Sequence, residues 1–412
     1  MKRNFLVTSG LLFVAGLALA ATAHAKRRPA PEPAAHVAPP SYTLSRPDPE
    51  ILLLDVYKEL GANNLNKAQK KIDDLVAAYP NFRLGQLIRG DLLQLHTRPI
   101  TTFGAAPNAP ADKLESLREE AIARLRSLRE KPDPNLVPRA LLQLRDDQKY
   151  ALLVDAQRSR LYVYQNVHGQ FKFITDYYIS QGKLGVHKLK EGDQKTPIGV
   201  YYITQRVPGA KLPDFYGAGA LPINYPNEWD KANGRSGSGI WLHGTPSDSY
   251  SRPPLSSDGC VVLTNPDLYK LYESVEAGKT PVVISEKIEF VTKAKWESER
   301  NLASRLIDDW RRDVESRDST RLLANYSRQF KSERGDNLAS WFDKHQRVLT
   351  EIRNLKLSIR DATYFLYPGR DDLIVATFTQ EAQIGRNINS VRKRQYWAKE
   401  GMHWRIVSET NL

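Results

Sequence analysis

Two short stretches decide how this chain reads: Ile240-Trp241-Leu242-His243-Gly244-Thr245 and Ser256-Ser257-Asp258-Gly259-Cys260-Val261-Val262-Leu263. The first is an apolar strand that ends in a histidine and breaks at Gly-Thr. The second is a Ser-Asp-Gly turn that delivers a cysteine to the start of another apolar strand. The connection from Pro246 to Ser256 is rich in Ser and Pro and long enough to bring the two strand ends together. Cys260 is the only cysteine, which excludes an intramolecular disulfide, a CxxC redox pair and a cysteine-rich zinc site. A lone cysteine is often just a small buried hydrophobe. Here the turn puts it where a side chain can face a cleft, with His243 within reach. A thiol with pKa near 8.5 is mostly protonated at neutral pH, and a neighbouring imidazole that takes its proton makes it a nucleophile. A backbone carbonyl after the histidine, such as that of Gly244, could hold the other ring nitrogen.

Working outward, short strands surround this pair. Tyr150–Asp155 reads as a buried strand, apolar up to Val154, Arg160–Tyr164 alternates, and Phe171–Ile174, Tyr177–Ser180, Gly199–Ile203 and Thr280–Ile284 follow. Gly and Pro turns join them, so a mostly β domain of about 140 residues is expected, bounded at 147–290. From Ile51 to about Leu144 the period is helical: Leu53, Val56, Tyr57 and Leu60 share a face, as do Ala68, Ile72, Leu75 and Val76. Leu84, Leu87, Ile88, Leu92 and Leu95 continue it, and Leu114, Leu117, Ile122, Leu125 and Leu128 form a further set. A tetratricopeptide-like pair is suggested over 51–78, but the repeat is not sustained. This helical region is bounded at 51–146. Beyond Trp296 helices come first (Leu302, Leu306, Ile307, Trp310; Leu322, Leu323, Tyr326; Trp341, Phe342, His345) and alternating strands follow (Leu357/Ile359, Leu373/Val375/Thr377, Arg394/Tyr396/Ala398, Trp404/Ile406). That order predicts an α+β cone over 297–412. The fold class is therefore multidomain: N-terminal helices, a mostly β catalytic domain and a C-terminal α+β cone.

At 412 residues the chain is too long for one ordinary domain. Residues 26–50 hold seven prolines (29, 31, 33, 39, 40, 47, 49) and read as an extended linker. Lys2 and Arg3, an apolar run from Phe5 to Ala21, and Ala23-His24-Ala25 have the form of a signal peptide over 1–25. An uncleaved anchor is the other reading of that run, which is short for a span. The expected location is the periplasm or cell envelope. Lys plus Arg total 60 against 47 acids, a formal charge of +13. For an exported protein this favours envelope polymer or lipid headgroups over nucleic acid. The other histidines show no clustered spacing, so no metal and no cofactor are expected.

His243-Gly244-Thr245 with Ser257-Asp258-Gly259-Cys260 resembles the L,D-transpeptidase catalytic domain of bacterial cell-wall enzymes. Lys190-Glu191-Gly192-Asp193-Gln194-Lys195-Thr196-Pro197-Ile198-Gly199 is similar to a second element of that family, a Thr-Pro-x-Gly turn leading into a strand. Two positions depart from the commonest pattern: Asp258 stands where His is usual, and Val262 where Arg often follows the cysteine. The resemblance implies a peptidoglycan enzyme whose cysteine attacks the third stem residue and expels a terminal D-Ala through a thioester. It implies Cys260 as nucleophile, His243 as base, the Gly244 carbonyl as its support, and the Gly259 and Cys260 amides as oxyanion donors. Arg252, Ser257 and Asp258 are the substrate-binding candidates, with Arg252 taking the stem carboxylate. L,D-Transpeptidation is the expected reaction, L,D-carboxypeptidation the alternative, and a non-catalytic wall-binding scaffold the reading from another class. The last region resembles a nuclear transport factor-like (SnoaL-like) cone. The order helices, catalytic domain, cone resembles cell-shape-determining L,D-carboxypeptidases of helical bacteria. Such cones make a pocket or a dimer face, and Trp310, Tyr326, Phe330, Trp341, Tyr396 and Trp404 are pocket or core candidates. Because every motif residue lies between Lys190 and Cys260, a chain ending near Ser285 is expected to keep its chemistry and lose wall capture.

Overall fold

In the computed structural model, residues 48–105, 109–332, 334–351 and 355–412 are described. The expected signal peptide and nearly all of the linker lie outside them. Asp48 caps the first helix by accepting from the Glu50 N–H at 2.9 Å, with Pro49 in the first turn, where its missing N–H costs nothing. Four helices follow: α1 (Pro49–Gly61), α2 (Leu65–Ala78), α3 (Arg83–Leu95) and α4 (Ala111–Arg129). Leu53, Val56, Ala68, Ile72, Leu75, Leu84, Ile88 and Leu92 form their common core, on the faces that the helical period predicts. α4 differs. Ile122 is half exposed, and the buried face runs through Leu117, Glu120, Ala121 and Arg124. That spacing of three and four is as helical as the apolar one, but it buries a charged pair that apolar counting passes over.

Two three-residue strands, β1 (Leu136–Pro138) and β2 (Leu141–Gln143), lie where helix was expected to continue. They are too short to show a period. The catalytic region comprises β3 (Tyr150–Asp155), β4 (Arg160–Val167), β5 (Gln170–Tyr178), β6 (Gln181–Gly182), β7 (Gly199–Tyr202), β8 (Val207–Pro208), β9 (Gly219–Pro222), α5 (Glu228–Ala232), β10 (Trp241–His243), β11 (Leu255–Ser257), β12 (Val261–Val262), α6 (Asn265–Tyr272) and β13 (Pro281–Ser285). A five-stranded sheet has the order β5-β4-β3-β13-β7, and a four-stranded one β12-β10-β9-β8. Between the two sheets lie Leu152, Val154, Leu161, Val163, Leu221, Leu242 and Val261.

The other face of the five-stranded sheet is also dry. Ala151, Leu153, Tyr162, Tyr164 and Val283 pack on Phe365, Tyr367, Leu373, Val375 and Tyr396 of the C-terminal region. This is why Ala151–Val154 reads as an unbroken apolar run: a strand buried on both faces has no polar side to alternate with. The C-terminal region is built from β14 (Phe290–Thr292), α7 (Lys293–Ser316), α8 (Ser319–Ala324), β15 (Tyr326–Ser332), α9 (Leu338–Glu351), β16 (Leu355–Leu366), β17 (Leu373–Ile384), β18 (Asn387–Glu400) and β19 (His403–Asn411). Its sheet order is β15-β19-β18-β17-β16-β2, so β2, which precedes the catalytic strands, becomes the last sheet's edge. Tyr326, read from sequence with a helical set, opens β15 instead.

Ile374, Ala376, Phe378 and Trp397 face α7, where Ala303, Ile307, Trp310 and Val314 cover them. Trp310, Tyr326, Phe330 and Trp341 sit in this core, Tyr326 and Trp341 with ring centroids 4.8 Å apart. Trp404 packs at its margin. Tyr396 points the opposite way and stacks on Trp229 of the catalytic region at 4.5 Å. The six aromatic candidates therefore do not line one cavity. The two regions share a core, which weighs against the expected independence of a chain ending near Ser285. Arg139 adds polar links, pairing with Glu289, Glu299 and Asp371 at 2.8, 2.8 and 2.5 Å.

Candidate active site

β10 and β12 run parallel with Leu242 opposite Val261 and His243 opposite Val262. This register brings Trp241 level with Cys260, which sits one residue before β12. The thiol is half-buried and donates to the Gly239 carbonyl at 3.3 Å. His243 is 1% exposed, beneath the rings of Phe215 and Tyr216 at centroid distances of 5.7 and 5.1 Å. Its Nδ1 lies 2.7 Å from the Gly244 carbonyl oxygen. A carbonyl only accepts, so Nδ1 carries the proton and Nε2 presents a bare lone pair. The turn after His243 is held by Asn265. Its Oδ1 accepts from the Ala218 and Thr245 N–H groups at 2.8 and 3.1 Å, and its Nδ2 donates to the Thr245 carbonyl at 2.8 Å.

Burial pushes the His243 imidazole down to about 4; the bond to Gly244 opposes this and the Arg252 charge adds to it. Burial pushes the Cys260 thiol up. The Trp241 backbone N–H pulls it back, Asp258 raises it, and Arg252 and Lys188 lower it. Both shifts favour the uncharged partners. The resting pair is thus neutral thiol and neutral imidazole.

Gly259 has φ of +124°, and a Cβ there would come within 2.7 Å of the Lys195 carbonyl oxygen, so only glycine fits this turn. Thr196 locks it: Thr196 Oγ1 donates to the Gly259 carbonyl at 2.9 Å and accepts from the Gly182 N–H at 3.0 Å. The Thr-Pro-x-Gly element is therefore a clamp on the cysteine turn.

Two of the expected roles change. The Gly259 amide donates to Ser257 Oγ at 3.1 Å, so it does not point free into the cleft as an oxyanion donor. Ser257 is buried and its hydroxyl donates to the Cys260 carbonyl at 2.6 Å, which makes it a turn support rather than a substrate ligand. Asp258 stands at the rim, its side chain 69% exposed, paired with Lys183 at 3.0 Å. Arg252 is the remaining substrate-binding candidate. Its guanidinium stacks over Phe215 at 4.5 Å and its charge acts on both Cys260 and His243. Sequence reading missed Phe215, Tyr216, Trp241 and Asn265. Each acts through tertiary contacts or a backbone group, and none carries a local motif. Among the described residues, no group of three or more His, Cys, Asp or Glu could hold a metal ion.

The model of the L,D-transpeptidase catalytic domain matches residues 149–284. The model described as the Cds6 C-terminal NTF2-like domain matches residues 302–410. No curated protein matches the chain. Among solved structures, Bd1075 of Bdellovibrio bacteriovorus is similar at 30% identity and a TM-score of 0.59, covering 67% of this chain and 98% of that one. The helical cell shape determining protein Pgp2 of Campylobacter jejuni shares the fold at 24% identity and a TM-score of 0.58, covering 68% of this chain and 96% of that one. The chain belongs to the family, shared with Bd1075, in which an L,D-transpeptidase catalytic domain that acts on peptidoglycan is followed by an NTF2-like domain.

Proposed function

We propose that the protein is an exported cysteine peptidase of peptidoglycan stems, which removes the terminal D-Ala of a tetrapeptide stem and passes the thioester to water. The observation that carries the chemistry is the pair Cys260 and His243, with Nδ1 of His243 bonded to the Gly244 carbonyl at 2.7 Å. In this mechanism Sγ attacks the carbonyl of the third stem residue while Nε2 takes the thiol proton. The C–N bond to D-Ala breaks, and the imidazolium returns the proton to the leaving amine. The Cys260 amide is the remaining donor of the expected oxyanion pair. Arg252 meets the stem carboxylate, stiffened by its stack on Phe215.

Water as the second acceptor is supported by architecture: the same order of domains occurs in a protein that determines helical cell shape. Transfer to an amine, giving a cross-link, is the second reading, supported by the catalytic-domain family itself. Incubating the mature protein with a disaccharide tetrapeptide and weighing the products separates them. Disaccharide tripeptide alone supports water. A dimer joined through two diamino acids makes the enzyme a transpeptidase, and unchanged tetrapeptide rejects both.

A further inference from the structure

The loop between His243 and Cys260 has two sides, and the helical region holds one of them. Tyr250, Ser251 and Arg252 are consecutive. Tyr250 is buried in the helical core, with its ring 4.8 Å from that of Phe82 and 5.1 Å from that of Tyr79. Its N–H donates to the Asn81 carbonyl at 3.3 Å, and Asn81 Nδ2 donates to the Ser247 carbonyl at 3.3 Å. Ser251 Oγ donates to Glu120 Oε1 of α4 at 2.7 Å. That carboxylate is fixed in turn by Arg124, whose Nε donates to it at 3.0 Å. Arg124 is 1% exposed, pairs also with Glu50, and lies over the Tyr178 ring at 4.0 Å. Tyr178 closes the circuit: its hydroxyl donates to the Arg252 carbonyl at 2.9 Å, beside Ser180 Oγ at 2.8 Å. The backbone of Arg252 is thus held by the catalytic sheet and its two predecessors by the helices, while its guanidinium lies over the Phe215 ring and its charge acts on the thiol.

A buried Glu–Arg pair is costly to desolvate and often no more stabilising than apolar packing. Its geometry here serves position: a carboxylate accepts Ser251 in one orientation, whereas apolar side chains would let the loop slide. We infer that Glu120, with Arg124 behind it, is a positioning residue that sets where the Arg252 guanidinium stands relative to Cys260 Sγ. The helical region is therefore part of the recognition apparatus for an anionic group next to the scissile bond. This rests on the reading of Arg252 as the carboxylate-binding group and extends it to residues that touch no substrate.

The chain's single cysteine provides a test that needs no peptidoglycan. The full-length mature protein is alkylated with iodoacetate, which is anionic, and with iodoacetamide, which is neutral and similar in size. The ratio of the two rates reports the positive charge near Sγ, while Lys188 and Asp258 remain in place in every variant. Arg252→Gln should lower the iodoacetate-to-iodoacetamide ratio about threefold, the order expected for one unit charge across a partly solvated cleft. Glu120→Ala and Ser251→Ala should each lower it toward the Arg252→Gln value. Glu120→Gln, which keeps an acceptor for Ser251, should recover part of the loss. Ser251→Ala removes a single hydroxyl and keeps the test open should Glu120→Ala not fold. A wild-type ratio in Ser251→Ala, or no change in Arg252→Gln, overturns the inference. Failure of the wild-type protein to cleave a tetrapeptide would instead reject the proposed reaction and leave these ratios standing.

Discussion

The Tyr367 hydroxyl of the C-terminal region donates to the Ile198 carbonyl of the catalytic region at 3.0 Å. Ile198 belongs to the Thr196-Pro197-Ile198-Gly199 turn, and Thr196 is bonded to the Gly259 carbonyl beside the nucleophile. Two hydrogen bonds and a rigid turn therefore separate the last sheet from Cys260. Tyr201 and Arg235 also donate to the Ile198 oxygen, at 3.2 and 3.4 Å. Tyr367→Phe thus leaves the acceptor satisfied and should cost about 1 kcal/mol, read as a lower urea midpoint with an unchanged slope.

Cys260→Ala and Cys260→Ser should abolish turnover of a tetrapeptide while circular dichroism stays that of the wild type. One buried neutral imidazole activates a serine hydroxyl far less readily than a thiol. Wild-type activity in either variant would remove the mechanism.

Alkylation of Cys260 by iodoacetamide should keep accelerating as pH rises past 9. The thiol is raised by burial and His243 is held at about 4, so no ion pair supplies thiolate at lower pH. His243→Gln should lower turnover while leaving the midpoint of that profile in the alkaline range. A rate plateau between pH 5 and 7 would show a preformed thiolate–imidazolium pair and contradict this account.

Folding stability should fall with acid because of His243. Its folded value of about 4 lies below the ordinary 6.5, so the unfolded chain binds the proton first. The contribution is complete above pH 6.5, is lost as pH falls toward 4, and levels off below. The size is about 3 kcal/mol. Comparing urea midpoints at pH 7 and 4.5 should show a smaller difference in His243→Gln than in the wild type.

A chain ending at Ser285 should be insoluble or molten rather than a working catalytic domain. Truncation uncovers Tyr162, Tyr164 and Val283 and leaves β2 without its partner β16. A soluble, cooperatively unfolding fragment with turnover would show that the shared core is dispensable.

The proposed pair was legible because His243 ends one apolar strand and Cys260 opens another, each next to a glycine turn, a local pattern. The layering was partly legible: the unbroken run at Ala151–Val154 announces a strand covered on both sides, but not by what. Ser257 was misread because a serine beside a nucleophile looks the same in sequence whether it faces substrate or its own turn. Phe215 and Asn265 had no signal, since their value lies in what distant segments bring to them. Glu120 and Arg124 were hidden by the rule that charges lie outside, which fails where two charges are buried together.

β2 pairs with β16 through Gln143 opposite Tyr364 and Leu141 opposite Phe365, more than two hundred residues apart. A chain that emerges from its N-terminus first, whether from a ribosome or across a membrane, cannot close its catalytic layer as it appears. The strand waits until nearly the whole polypeptide has been delivered. Assembly is thereby postponed to the compartment in which the last hundred residues arrive, and a prematurely ended product lacks the covering layer of its central sheet.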